Sequence, residues 1–135
     1  MTKSKPSVLE YASKRLAQRD WFIAELRVEL LRQGYEEPDI ELAVESLIRA
    51  GFLDDARKAR LWLEKCDKGQ DFVRAYFTEK GVADALIVEL LGSRDEEKLA
   101  RAAIRGIESD PARVARRLSS RGFEGSTIES VVEKL

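Results

Sequence analysis

One order of apolar and polar positions recurs three times along this chain, in register with the glycines Gly34, Gly81 and Gly122. Eight residues before each glycine lies Leu26, Val73 or Val114, and four before lies Leu30, Phe77 or Leu118. One residue after comes Tyr35, Val82 or Phe123; six after, Ile40, Ile87 or Ile128; ten after, Val44, Leu91 or Val132. Apolar positions four apart on either side of a lone glycine predict a helix, a left-handed stop and a second helix. The glycines are 47 and 41 residues apart. Such a period marks a repeat architecture, whose units bury their apolar faces by packing on neighbours.

The pattern gives an element order. Ser7 caps a first helix running to about Gln18, with Val8, Ala12 and Leu16 inward. Asp20 caps a second, Trp21 to Gln33, with Phe22, Ile23, Leu26 and Leu30 on its stripe. Glu36 and Glu37 lead a third, carrying Ile40, Ala43, Val44, Leu47 and Ile48, which Gly51 ends. Asp54 or Asp55 caps a fourth with Ala59, Trp62, Leu63 and Cys66 inside; adjacent carboxylates on a helix diverge by about 100°, so capping fits better than metal binding. Past the break at Lys68-Gly69-Gln70, a fifth helix shows Val73, Tyr76 and Phe77, and a sixth Leu86, Ile87, Leu90 and Leu91. Asp95-Glu96-Glu97 opens a seventh with Ala100, Ala103, Ile104 and Ile107; Asp110-Pro111 starts an eighth around Val114 and Leu118; Ile128, Val131, Val132 and Leu135 mark a ninth. The expectation is an all-α chain of about nine helices in tandem three-helix modules, 1–51, 52–92 and 93–135, forming an elongated, curved right-handed or superhelical array.

Composition narrows the chemistry. The 135 residues hold one cysteine, Cys66, and no histidine, which excludes an internal disulfide, zinc sites built on Cys or His clusters, and Ser-His or Cys-His catalysis. Cys66 reads as a small core residue. No glycine-rich phosphate loop occurs, so neither enzyme activity, cofactor nor metal is expected. With no long apolar run and no apolar leader after Met1, the expected compartment is the cytoplasm.

The net charge of −1 conceals six alternating blocks: +3 over 1–34, −6 over 35–56, +3 over 57–80, −3 over 81–99, +4 over 100–122 and −2 to the end. Residues before each glycine are basic and those after it acidic. Two readings stay open: neutralisation between stacked helices, or a basic stripe facing a polyanion or an acidic protein surface. On the second reading the contacts are Lys14, Arg15 and Arg19, then Arg57, Lys58 and Arg60, then Arg113, Arg116 and Arg117. Aromatic residues fall mostly on inner faces, with Trp21 beside its stripe.

Several segments carry a resemblance. Ala17-Gln18-Arg19-Asp20, Glu25-Leu26-Arg27 and Leu31-Arg32-Gln33-Gly34-Tyr35 lead to Gly51-Phe52-Leu53-Asp54-Asp55-Ala56-Arg57-Lys58-Ala59, the most specific piece. Lys80-Gly81-Val82 and Leu118-Ser119-Ser120-Arg121-Gly122-Phe123 follow. Together they resemble the RecX family, bacterial regulators of the RecA recombinase. The chain departs from the family pattern at Lys58, where members usually show Phe, and at Gly69-Gln70-Asp71-Phe72-Val73, where they show Gly-Pro-x-Arg-Ile. The resemblance implies tandem three-helix modules and a non-enzymatic monomer. Such a protein lies in the groove of the RecA filament on single-stranded DNA and restrains filament growth, ATP turnover and strand exchange, with direct DNA contact also in view. The alternatives are a stand-alone DNA-binding helical repeat and an adaptor for another acidic protein.

Overall fold

The computed structural model describes residues 4–135, and among them the chain forms nine α-helices and no strand. These are α1 (Val8–Gln18), α2 (Ile23–Arg32), α3 (Glu37–Arg49), α4 (Asp55–Glu64), α5 (Gln70–Glu79), α6 (Asp84–Gly92), α7 (Glu96–Ala103), α8 (Pro111–Ser120) and α9 (Gly125–Glu133). They divide into two compact units. The first takes the chain up to Leu61 together with Lys80–Val82; the second takes Trp62–Glu79 and Ala83–Leu135.

The repeat positions make the cores. Leu26, Leu30, Val73, Phe77, Val114 and Leu118 are all 0% exposed, so both columns before the glycine are sealed in every repeat. In the first unit α1, α2 and α3 pack on one another around Ala12, Leu26, Leu30, Ile40, Val44 and Leu47. Gly34 ends α2 at φ +88°: its N–H donates to Leu31 O (2.9 Å), and the next N–H, of Tyr35, reaches back to Leu30 O (3.2 Å). That pair of bonds satisfies the last carbonyls of the helix and turns Tyr35 inward. Gly122 repeats it, with Phe123 N donating to Leu118 O at 3.0 Å.

Asp20 does not cap α2. Phe22 is 1% exposed and occupies the N-cap position, so its burial pulls the helix start to Ile23 and leaves Asp20 in solvent. Ile48 is 42% exposed because, eight residues after Ile40, a helix has turned about 80° off its inner face.

In the second unit α7, α8 and α9 close around Ala100, Ile104, Val114, Leu118, Phe123 and Val131. Asp95 caps α7 by accepting from Lys98 N (3.0 Å), and Asp110 caps α8 from Arg113 N (3.1 Å). α7 ends at Ala103, earlier than its stripe suggests: Gly106 turns the chain at φ +91°, and Ile107 enters the core from that turn. α5 pairs with α6, and Trp62 stacks on Tyr76 (4.2 Å, 7°) with Phe77 edge-on to both. Cys66 lies beyond the end of α4, half-buried, and not on the helix's inner stripe. Leu135 is likewise exposed, beyond the end of α9.

Candidate partner interface

The cations predicted to face a partner differ in how they are held. In the first unit Arg15 is part of a network: its Nε and Nη2 donate to the Tyr11 hydroxyl at 3.0 and 2.9 Å, and that hydroxyl donates to Glu29 at 2.9 Å. The hydrogen bond from Tyr11, helped by Gln33, holds the Glu29 carboxyl below its usual range. Arg15 is thus structural. Arg19 is exposed and lies flat on Trp21, 3.5 Å from the ring centre, while its Nη1 donates to Asp20 O. Trp21 is fixed in turn by donating Nε1–H to Arg15 O at 3.2 Å. Lys58 sits over Phe22, 4.9 Å from the ring centre. Arg57 donates to Gly51 O at 3.1 Å, and Lys14 and Arg60 are exposed. Arg19 and Lys58 therefore meet at one place, the start of α2.

That place also holds acids. Asp54 caps its own helix through Arg57 N (3.1 Å), whereas Asp55 turns away and accepts from Ile23 N (2.9 Å), capping α2 from a distant part of the chain. Burial pushes the Asp55 carboxyl up, against the pull of that N–H. Glu25 accepts from Phe22 N at 3.2 Å and pairs with Lys80 at 3.3 Å.

The second unit repeats the arrangement. Asp95 caps α7, and Glu96 beside it faces the start of α5, with both carboxylate oxygens buried and neither making a hydrogen bond. Glu96 pairs with Arg94 at 3.3 Å, both side chains nearly buried, and Arg94 donates to Lys68 O at 2.6 Å. Desolvation raises the Glu96 carboxyl and Arg94 opposes it. α8 carries the other predicted cations. Arg117 is half-buried and reaches Ala103 O at 3.5 Å; Arg113 and Arg116, three residues apart on one side of the helix, are exposed. They have no side-chain hydrogen bond or ion pair among the described residues.

The buried acid joints escaped the sequence reading, although a signal existed. Asp54-Asp55 and Asp95-Glu96 are 41 residues apart, while Ile23 and Gln70, the helix starts they serve, are 47 apart. An acid pair whose second member has no helix of its own to cap points to a neighbour.

No family model matches the chain. Among curated proteins, regulatory protein RecX of Pelodictyon phaeoclathratiforme is 33% identical over an alignment of 143 positions, spanning 96% of this chain and 89% of that one. The chain belongs to the RecX family. RecX of Halorhodospira halophila is 30% identical, over 92% of this chain and 85% of that protein. Solved RecX structures share the fold: that of Lactobacillus salivarius RecX superposes with a TM-score of 0.79 at 17% identity, over 95% of this chain and 94% of that one. A second, a regulatory protein RecX, gives 0.75 at 18% identity, over 93% and 71%. The all-α RecX fold is therefore that of this chain, and its family members carry the name of regulators. No described helix is long and apolar enough to cross a membrane.

Proposed function

We propose that this chain regulates the RecA recombinase by binding its filament on single-stranded DNA and restraining filament growth, ATP turnover and strand exchange. The observation that carries the reading is the family relation, which spans nearly the whole chain and most of the relative. The exposed cations support it. Arg113 and Arg116 are available to an acidic or phosphate-bearing surface without breaking any internal bond, and so is Lys14. Arg19, Arg57, Lys58 and Arg60 extend the contact set; Arg15 and Arg117 orient their neighbours.

On this reading the chain is a cytoplasmic monomer without catalytic activity, built as three modules, 1–51, 52–92 and 93–135. Many modest charged contacts sum to avidity without a deep pocket. Binding weakens as salt rises, because exposed charges are screened beyond about 10 Å at 0.1 M.

The test is RecA-dependent ATP hydrolysis on single-stranded DNA, with filament length measured alongside. A fall in both supports the proposal; an unchanged rate and length reject it. Gel shifts with DNA alone separate direct DNA binding from action through the recombinase.

A further inference from the structure

Aligning the repeats on their glycines places equivalent residues in chain order: Ser7, Asp54 and Asp95; Val8, Asp55 and Glu96; Phe22, Gly69 and Asp110; Gln33, Lys80 and Arg121. Within the second unit the end of α8 abuts the start of α5. Gly69 N donates to Arg121 O (2.9 Å), and Asp71 N and Phe72 N donate to Gly122 O (2.9 and 3.4 Å). A Cβ on Gly122 would lie 2.5 Å from the Phe72 Cβ, so the two backbones meet with no room between them. Within the first unit a Cβ on Gly81 would lie as close to the Ala24 Cβ, at 2.4 Å. Both contacts share a layout, with the end of one repeat's second helix and an acid of that repeat's first at the start of the preceding repeat's second helix; main-chain bonds join them in the second unit, and the Ile23 N–H bond to Asp55 in the first.

The first and last repeats break this pattern, each on the half of the contact that no other repeat within the 135 residues takes up. At Gly34 the equivalent carbonyl, Gln33 O, accepts from the Lys5 ammonium, which also lies 3.9 Å from the centre of the Tyr35 ring. The acid is missing too: Val8 stands in its place, buried in the core. At the start of α8 three of the four equivalent N–H groups are taken or missing: Asp110 N donates to Ile107 O (3.0 Å), Pro111 has none, and Asp110 takes the Arg113 N–H. The departures thus fall on the two unmatched halves of one contact.

We infer that Lys5 and Val8 at one end, and Asp110 with Pro111 at the other, block a head-to-tail contact between copies of this chain. A contact made from two different surfaces does not close on itself, so copies joined this way would grow into open chains. The end stops keep the molecule single. The partner that fits each end, once opened, is a second copy of the chain itself, since each end is the complement of the other.

The experiment uses two full-length variants. One, Lys5→Ala with Val8→Asp, opens the carbonyl end; the other, Asp110→Gly with Pro111→Gln, gives α8 the middle repeat's start. Each has only one open half, so alone each sediments at the parent monomer mass of 15.3 kDa. An equimolar mixture forms a 1:1 complex of twice that mass. If both variants keep the parent's helicity and the mixture stays at monomer mass up to submillimolar concentration, the inference is overturned. Self-association of either variant alone overturns it as well, because the second half of its contact is still closed. Should Val8→Asp lower helicity, Lys5→Ala alone replaces the first variant and the same mixture is read.

Discussion

Gly122 and Gly51 have the same backbone angle, φ +82°, and different surroundings. A side chain at Gly51 would point into open space, whereas one at Gly122 would strike Phe72. Gly51→Ala then carries only the left-handed penalty, about 1 kcal/mol. Gly122→Ala adds an overpacking cost of about 2 kcal/mol, and urea unfolding of the two variants reads the difference. That these glycines stop helices was plain from their place after an apolar stripe. That Gly122 is also a close-approach site was not, because the approaching residue is fifty positions away in the chain. The cations divide in the same way. Lys14, Arg15 and Arg19 look alike as a string of basic residues, and only the fold shows that Arg15 is spent on Tyr11. Arg15→Ala is expected to lower the melting temperature, while Arg116→Ala leaves stability within about 0.5 kcal/mol of the parent, as urea unfolding reads it.

At the scale of elements, all nine helices were legible because their apolar spacing is regular, and the errors sit at their ends. α2 starts late because a buried Phe22 outweighs an exposed Asp20; α7 stops early because Gly106 permits a turn. The helix-to-helix caps carry a pH signature. Asp55 has its carboxyl raised by burial above an ordinary value of 3.8, so the folded chain takes up that proton before the unfolded chain does. Its contribution is therefore fully present below the unfolded value and is lost as pH rises through the folded one. Asp55→Asn keeps an acceptor for Ile23 N–H and removes the titration. Stability of parent minus variant should grow as pH falls through the window just above 3.8, and pH-dependent urea midpoints test this. Glu97 is opposite in sign: Lys134 and Ser130 hold its carboxyl low, so its contribution is lost as acid reaches that lowered value. Glu96→Ala strips Arg94 of its partner in a site where both side chains are about one-tenth exposed, and is expected to cost about 3 kcal/mol in the same assay.

For the whole molecule, the three-fold recurrence was readable from glycine spacing alone, yet contacts divide the chain into two compact units with the break inside α4. Sequence periodicity reports which residues are equivalent; it does not report how tightly successive pieces associate. The charge blocks likewise showed where cations lie along the chain and not which are engaged. The proposed interface predicts that reversing Arg113 and Arg116 together to Glu weakens association with the filament roughly tenfold, about 1.4 kcal/mol, with melting unchanged. Titrating the salt concentration should shrink the gap between parent and variant, since the lost contacts are exposed ones.

The abutment of α8 on α5 is written in main-chain atoms: three N–H groups and two carbonyls. Its demands on sequence are few, a residue without a side chain on each side, Gly122 and Gly69. Lineages can therefore exchange most other side chains around it and still assemble the same outline, as the superposition with Lactobacillus salivarius RecX at 17% identity illustrates. Mutational drift in such a protein should run freely over the helix surfaces and stall at the few positions where backbone touches backbone.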